Sequence, residues 1–140
     1  MIAFKQWLVT TLTNDTQMQT LLNATSSTMP IYPTDVDIQP EVFPAITYQD
    51  AGGTVLSTPR GMHVGLLQLD LWSTTNALEV ENIYERLCQL LGFKDSTTQT
   101  FSGTLWWVRE NSSRDFHTPS RRLFRKSLDL KYWANNAGNT

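Results

Sequence analysis

Cysteine is nearly absent from this sequence, which contains a single one at position 88. An internal disulfide needs two cysteines and a thiolate zinc site usually needs more, so both are excluded. The two histidines, His63 and His117, do not lie at the spacing of a metal-binding motif. We therefore expect no metal and no cofactor.

Charge is also scarce, since only 17% of the residues are Asp, Glu, Lys or Arg, against roughly 25% in an average soluble domain. The net charge of -2 argues against a general polyanion binder, because phosphate affinity comes from Lys and Arg. The charge is uneven, however. Residues 1–100 hold four basic and ten acidic side chains, whereas residues 101–140 hold seven basic and three acidic ones. A surface this poor in charge favours neutral polar groups or contacts between subunits.

Long apolar runs are missing as well, and none approaches the roughly 18 residues needed to span a bilayer. The first residues lack the pattern of a signal peptide, so we expect no membrane partner and a cytosol-like compartment. The 140 residues suit one ordinary domain. We predict a single domain over residues 1–134 and a flexible C-terminal tail over residues 135–140.

Three segments have the apolar periodicity of helices. Residues 2–12 carry apolar side chains at three- and four-residue spacing. A short second helix is predicted to start at Asp15. The strongest helix spans residues 77–91, where Asn76 and Glu79 have capping-box spacing.

Alternating polar and apolar residues predict the strands. They lie at about 42–49, 62–72, 103–110 and 121–133. In the second of these, Leu67, Leu69 and Leu71 face one way, and the residues that face the other are Val64, Gln68, Asp70 and Trp72. Four prolines in residues 29–44 argue against a regular ladder there. The predicted loops are 50–61, 94–102 and 111–120.

The order of these elements is helix, helix, strand, strand, helix, strand, strand. Strands joined by short or polar loops, together with separate helices, are typical of an α+β fold. We therefore predict an antiparallel sheet of about four strands with helices packed on one face.

No residue pattern indicates catalysis, so we do not expect an enzyme. Cys88 lies on the core-adjacent side of the predicted third helix, where a buried thiol is the common outcome. Asp35, Asp37 and Glu41 match no calcium loop and are expected to keep a loop solvated. The glycines at 52–53 lack the lysine and helix of a phosphate-binding loop.

The most suggestive feature is a basic group near the C-terminus. Its members are Arg109, Arg114, Arg121, Arg122, Arg125, Lys126 and Lys131. The group could hold DNA phosphates, protect a strand edge, or meet an acidic face of the next subunit in a ring. All three interpretations stay open, with the subunit interface first. An exposed tryptophan of the Trp106-Trp107 pair would likewise favour a protein interface over stacked bases.

Several sequence blocks follow one another in a recognisable order: Leu21-Leu22-Asn23-Ala24, Ile31-Tyr32-Pro33, Glu41 to Tyr48, Leu67 to Ser73 running directly into the helix 77–91, and Arg121 to Leu130. In these blocks and their order, the sequence resembles the bacteriophage tail terminator (tail completion) family. The resemblance covers most of residues 5–133 and depends on element order and composition. The loop 94–102 and the doubled tryptophan have no counterpart in it.

This resemblance implies a structural virion protein that is made in the host cytoplasm and lies at the head–tail interface. Such proteins close into a ring, commonly of six subunits, on the head-proximal end of the tail tube. The ring ends tube polymerisation and presents a surface for head joining. The expected partners are other copies of the chain, the tail tube protein, a head-closure or connector protein and, in passing, DNA in the lumen.

On this interpretation, the basic stretch supplies subunit contacts and the loop 50–61 reaches the next ring. The candidate subunit-interface residues are Arg109, Arg114, Arg121, Arg122 and Arg125. The candidate inter-ring residues are Thr54, Val55, Leu56 and Arg60. Two alternatives are a head-closure or other neck protein, and a DNA-binding module that uses the basic C-terminal strand.

Overall fold

The computed structural model describes residues 2–33, 43–55, 63–91, 99–101, 104–118 and 123–135. The elements in these ranges are α1 (Ile2–Thr13), α2 (Thr16–Leu21), β1 (Ile31–Pro33), β2 (Ala45–Val55), β3 (His63–Ser73), α3 (Ala77–Leu91), β4 (Gln99–Phe101), β5 (Thr104–Thr118) and β6 (Leu123–Asn135). The α+β class is confirmed, and so are the three predicted helices. Of the predicted tail, Asn135 ends β6, and 136–140 lie outside the described residues.

The described strands form one sheet in the order β1-β2-β3-β6-β5-β4. Every neighbouring pair is antiparallel except β1 and β2, which run parallel. The sheet thus has two strands more than the four expected, because the three-residue strands β1 and β4 extend its two sides. The proline-rich segment was not expected to join a ladder, yet Pro33 pairs with Tyr48. A strand at the edge of a sheet tolerates proline because one side of its backbone needs no partner.

The predicted loop 50–61 is wrong over residues 50–55, which belong to β2, whereas the inter-ring role of Thr54 and Val55 stays a prediction. Thr54 and Val55 pair with Val64 and His63 of β3. The alanine and glycines at 51–53 do not end the strand, because a register shift between Asp50 and Gly52 absorbs one extra residue. Leu56 and Arg60, the other two predicted loop residues, lie outside the described part of the chain.

The predicted loop 111–120 is also wrong over residues 111–118, which continue β5. Residues 112–117 are exposed, although the whole stretch pairs with β6. Sequence alternation reveals a strand only where one of its faces is buried. This half of β5 lacks that signal because neither of its faces is fully covered.

The core lies between the helices and one face of the sheet, as predicted. Leu67, Leu69 and Leu71 of β3 are fully buried there and face Ile83 and Leu87 of α3 in the same apolar cluster. Burial of each such side chain contributes about 1.5–3 kcal/mol. The other buried members include Trp7, Leu8, Leu12, Met18, Leu22, Ile46, Val80, Cys88, Leu91, Val108, Leu128 and Leu130. The expectation of a buried thiol at Cys88 is therefore confirmed.

Two side chains cap helices at their first turns. Asn76 Oδ1 accepts a hydrogen bond from the Glu79 backbone N–H at 2.8 Å, and Asp15 Oδ2 accepts one from Met18 at 2.8 Å. Asp15 also receives the Nε–H of Arg86, on α3, at 2.9 Å. The Arg86 guanidinium holds the pKa of Asp15 below its ordinary value, with burial opposing this effect. The cap of α2 is thereby tied to α3.

We expect Asp15→Asn to keep the cap but lose the ion pair, which lowers the free energy of unfolding by about 1–2 kcal/mol at pH 7. The pKa of Asp15 is lower in the folded protein than in the unfolded chain, where it is about 3.9. The ion pair therefore makes its full contribution to the stability of the fold at pH values above that unfolded-state pKa. This stabilisation is lost as the pH falls through the folded-state pKa. Urea unfolding of both proteins over this range measures the difference. Arg86→Gln should give the same dependence, and a difference independent of pH would contradict the assignment.

Gly65 of β3 leaves space for the ring of Tyr132, its cross-strand partner on β6. A Cβ atom at position 65 would overlap the Cε1, Cζ and Oη atoms of Tyr132. Tyr132 is only 3% exposed, so its ring has little room to move. The glycine is therefore needed for a close approach across the two strands.

We expect Gly65→Ala to lower the free energy of unfolding by about 1–3 kcal/mol, because the added methyl group overpacks this site. In a Tyr132→Leu background the same substitution should cost clearly less, since the ring is gone. Chemical denaturation of the four proteins gives this double-mutant cycle. Equal costs in the two backgrounds would show that the ring is not the obstacle.

Candidate subunit interface

A row of aromatic rings and arginines crosses the face of the sheet opposite the helices, called here the open face. Arg125 of β6 lies opposite Trp72 of β3 on one side and Phe116 of β5 on the other. Its Cζ is 5.1 Å from the Trp72 ring centroid and 4.7 Å from that of Phe116. At one end of the row, Arg114 Cζ lies 5.8 Å from the Phe116 ring centroid. At the other end, the ring centroids of Phe43 and Trp72 are 6.3 Å apart. These five side chains form the aromatic–arginine row.

A buried carboxylate lies beside the row. Asp70 is 3% exposed, and its Oδ1 is 3.5 Å from Arg125 Nε. Gln68 Nε2 donates to both Asp70 oxygens at 3.3 Å, and Trp72 Nε1 donates to Thr47 Oγ1 at 3.0 Å. These contacts orient the Trp72 ring and place the Arg125 guanidinium beside the Asp70 carboxylate, although Arg125 Nε makes no hydrogen bond within the described residues.

A β-bulge decides which side chains of β5 reach the open face. Glu110 lies opposite the core residue Leu130, whereas Ser112 lies opposite Asp129, so the register shifts between them. Without this extra residue, Arg114 and Phe116 would turn toward the helix side, because a shift of one residue exchanges the two faces. The bulge is therefore what completes the row.

The outer end of the row is accessible. Phe116 is 43% exposed, and Arg114 is exposed beside it. In the described part of the chain, the exposed large hydrophobic residues are Phe116 and Leu78 of α3. Aromatic side chains and arginines are enriched in protein interfaces, so this end of the row is a candidate contact surface.

The structure brings two of the five predicted interface residues together. Arg114 and Arg125 both contact Phe116. The backbone of Arg109 pairs with that of Lys131 in the β5–β6 ladder, but the Arg109 side chain does not belong to the described part of the structure. Arg121 and Arg122 lie outside the described residues as well. The interface assignment of these arginines stays a prediction.

The seven basic residues do not form one surface, because Lys126 lies on the helix side of the sheet. It is 6% exposed, and its Nζ donates to Glu81 Oε1 at 2.9 Å and to Asp115 Oδ1 at 3.0 Å. The same Nζ lies 4.7 Å from the Tyr84 ring centroid. Burial lowers the pKa of Lys126, but the two carboxylates outweigh it and the pKa is raised. Lys126 therefore stays charged and holds α3 to the sheet.

Sequence reasoning missed Phe116 and the role of Asp70. Phe116 fell in a predicted loop, and its neighbour Arg114 was recognised only by its charge. Asp70 and Trp72 were correctly assigned to the face opposite the leucines of β3, but the pattern within one strand could not show their partners. Those partners are on β2, β5 and β6, up to 55 positions away in the case of Arg125.

The described residues contain no group of three or more His, Cys, Asp or Glu side chains placed to hold a metal ion. His117 stacks on Phe124, with ring centroids 4.4 Å apart and planes 8° from parallel. Within the same residues, no helix has both the length and the apolar character needed to cross a membrane.

Comparison with known proteins found a likeness in fold. No protein-family model matches the chain, and no curated protein matches it. Among solved structures, it is similar to a chain of one described as "Virion of native gene transfer agent (GTA) particle". The two chains share 9% sequence identity with a TM-score of 0.64, and the match covers 90% of each. At this identity the likeness shows a common fold.

We expect Arg125→Ala to lower the free energy of unfolding by about 2–3 kcal/mol, because the buried Asp70 carboxylate then keeps, among the described residues, the side chain of Gln68 as its one partner. In an Asp70→Ala background the same change should cost about 1 kcal/mol or less. Urea denaturation of the four proteins measures the coupling. Arg114→Ala, an exposed arginine of the same face, is the control and should change stability by less than about 0.5 kcal/mol.

Proposed function

We propose that this chain is a structural component of a phage-like virion, and more narrowly a tail terminator. The observation that carries the virion role is the fold, which matches a chain of a gene transfer agent virion over 90% of both chains. The narrower role is supported by the sequence blocks that resemble tail terminators. The protein would close into a ring, commonly of six copies, on the head-proximal end of the tail tube.

The geometry suits this role because the molecule has two unlike sides. One face of the sheet carries the helices and the core, and the open face carries the aromatic–arginine row. A contact between unlike sides is heterologous, and repeated heterologous contacts close into a ring when the rotation between subunits fits. A ring bound to the last tube layer caps the tube if its outer surface does not accept another layer of tube protein.

The structure weakens the DNA-binding alternative. In the described part of the basic group, Lys126 is buried between two carboxylates and Arg125 lies beside Asp70 between two rings. These two charges already have partners inside the chain, so they are poorly placed to neutralise phosphates. A head-closure or other neck protein stays the stronger of the two alternatives, since it would also form a ring but would bind on the portal side.

Deletion of the gene from its particle-producing genome tests the proposal. For a terminator, we expect unjoined tails with a broad and overlong length distribution in electron micrographs, because tube growth no longer has a stop. A plasmid copy of the wild-type gene should restore uniform tails joined to heads.

Two other outcomes of the deletion are informative. Unjoined tails of uniform normal length would contradict the terminator role and favour the head-closure alternative. Normal joined particles would contradict a structural role in the virion altogether.

A further inference from the structure

We infer that neighbouring subunits of the proposed ring meet through the Arg114–Phe116 end of the open face on one copy and the outward side of helix α3 on the next. The partner of this surface is thus a second copy of the same chain. The inference rests on the proposed ring and adds the two contact surfaces and their chemistry.

The outward side of α3 is defined by Leu78, Asn82, Glu85 and Gln89, which are all exposed. Their spacing of four, three and four positions places them in one line along the helix. Leu78 is 66% exposed, an unusual position for a large apolar side chain beside a well-packed core. The line therefore offers one apolar contact in the first turn, followed by a carboxylate and two amides.

Glu85 is the acidic residue of α3 that the fold leaves without a role. Glu79 accepts a hydrogen bond from Ser73 Oγ at 2.8 Å, and Glu81 accepts one from Lys126. The side chain of Glu85 makes neither a hydrogen bond nor an ion pair with any described residue. It is an exposed negative charge two helical turns from the exposed Leu78.

Arg114 is the matching positive charge on the opposite side of the sheet. Arg86 and Lys126 are engaged in ion pairs within the chain, and Arg125 is held beside Asp70. Arg114 contacts only the face of the Phe116 ring among the described residues, so its guanidinium N–H groups can still bind a carboxylate. The two surfaces thus offer unlike charges, each with an exposed apolar side chain within about 10 Å.

The spacings on the two surfaces are compatible. Leu78 and Glu85 are seven residues apart on a helix, about 10 Å along its axis. Phe116 and Arg114 are two residues apart on a strand, about 7 Å. The long arginine side chain spans this small difference when Leu78 packs on Phe116. The two surfaces lie on opposite sides of the sheet, so one molecule cannot bring them together and the contact must be heterologous.

A charge exchange tests this contact on its natural template. Tail tubes from the deletion strain are mixed with purified protein, and ring addition at the tube ends is titrated by sedimentation and electron microscopy. Arg114→Glu and Glu85→Arg should each weaken ring addition about 10- to 100-fold, because like charges then face each other. The variant with both substitutions should recover to within about threefold of wild type. Gln6→Glu and Gln6→Arg, on the exposed part of α1, are the charge controls and should have no effect.

Three results would overturn the inference and leave the proposed function intact. They are single charge-reversal variants that form rings on the tubes as well as wild type, a double variant whose ring addition does not recover, and a loss of ring addition confined to Arg114→Glu. The last would mean that Arg114 contacts the tube protein. Wild-type protein that never forms rings on these tubes would overturn the proposed function together with the inference. Circular dichroism and thermal unfolding of every variant confirm that the fold is intact.

Discussion

Helix α3 and the leucines of β3 and β6 form the apolar layer on which the other features of this protein depend. The described helices cover one face of the sheet, so the alternation of each strand sorts its side chains into a buried apolar set and an open-face set. The open-face set must satisfy its own polar groups. Thr47 accepts a hydrogen bond from Trp72 on the next strand, and Asp70 has Gln68 on its own strand and Arg125 on β6 as partners, so rings and guanidinium groups lie side by side on this surface.

The same alternation separates neighbours that look alike in the sequence. Arg125 and Lys126 are adjacent basic residues, yet Arg125 joins the open face and Lys126 is buried beneath α3. These two adjacent positive charges therefore form ion pairs on opposite sides of the sheet, Arg125 with Asp70 and Lys126 with Glu81 and Asp115.

A subunit that assembles into a ring needs two different surfaces held at a fixed angle. Here the sheet provides the rigid element, while the exposed positions of α3 and the outer end of the aromatic–arginine row lie on its two sides. The bulge in β5 matters because it turns Arg114 and Phe116 outward at the strand's exposed end. In this proposal, assembly depends on backbone register as much as on the identity of the contact residues.

Local periodicity in the sequence is enough to predict the α+β class, the bounds of α3, the buried leucines of β3 and the buried thiol of Cys88. Of the site, the sequence indicates Arg114 and Arg125 through their charge. Three features emerge from the folded chain alone: β5 continues through residues 111–118, Lys126 is buried, and Asp70, Trp72 and Phe116 surround Arg125. The reason is physical: strand pairing and bulges join residues far apart in the chain, and a shift of one position exchanges the faces of a strand without leaving a local pattern.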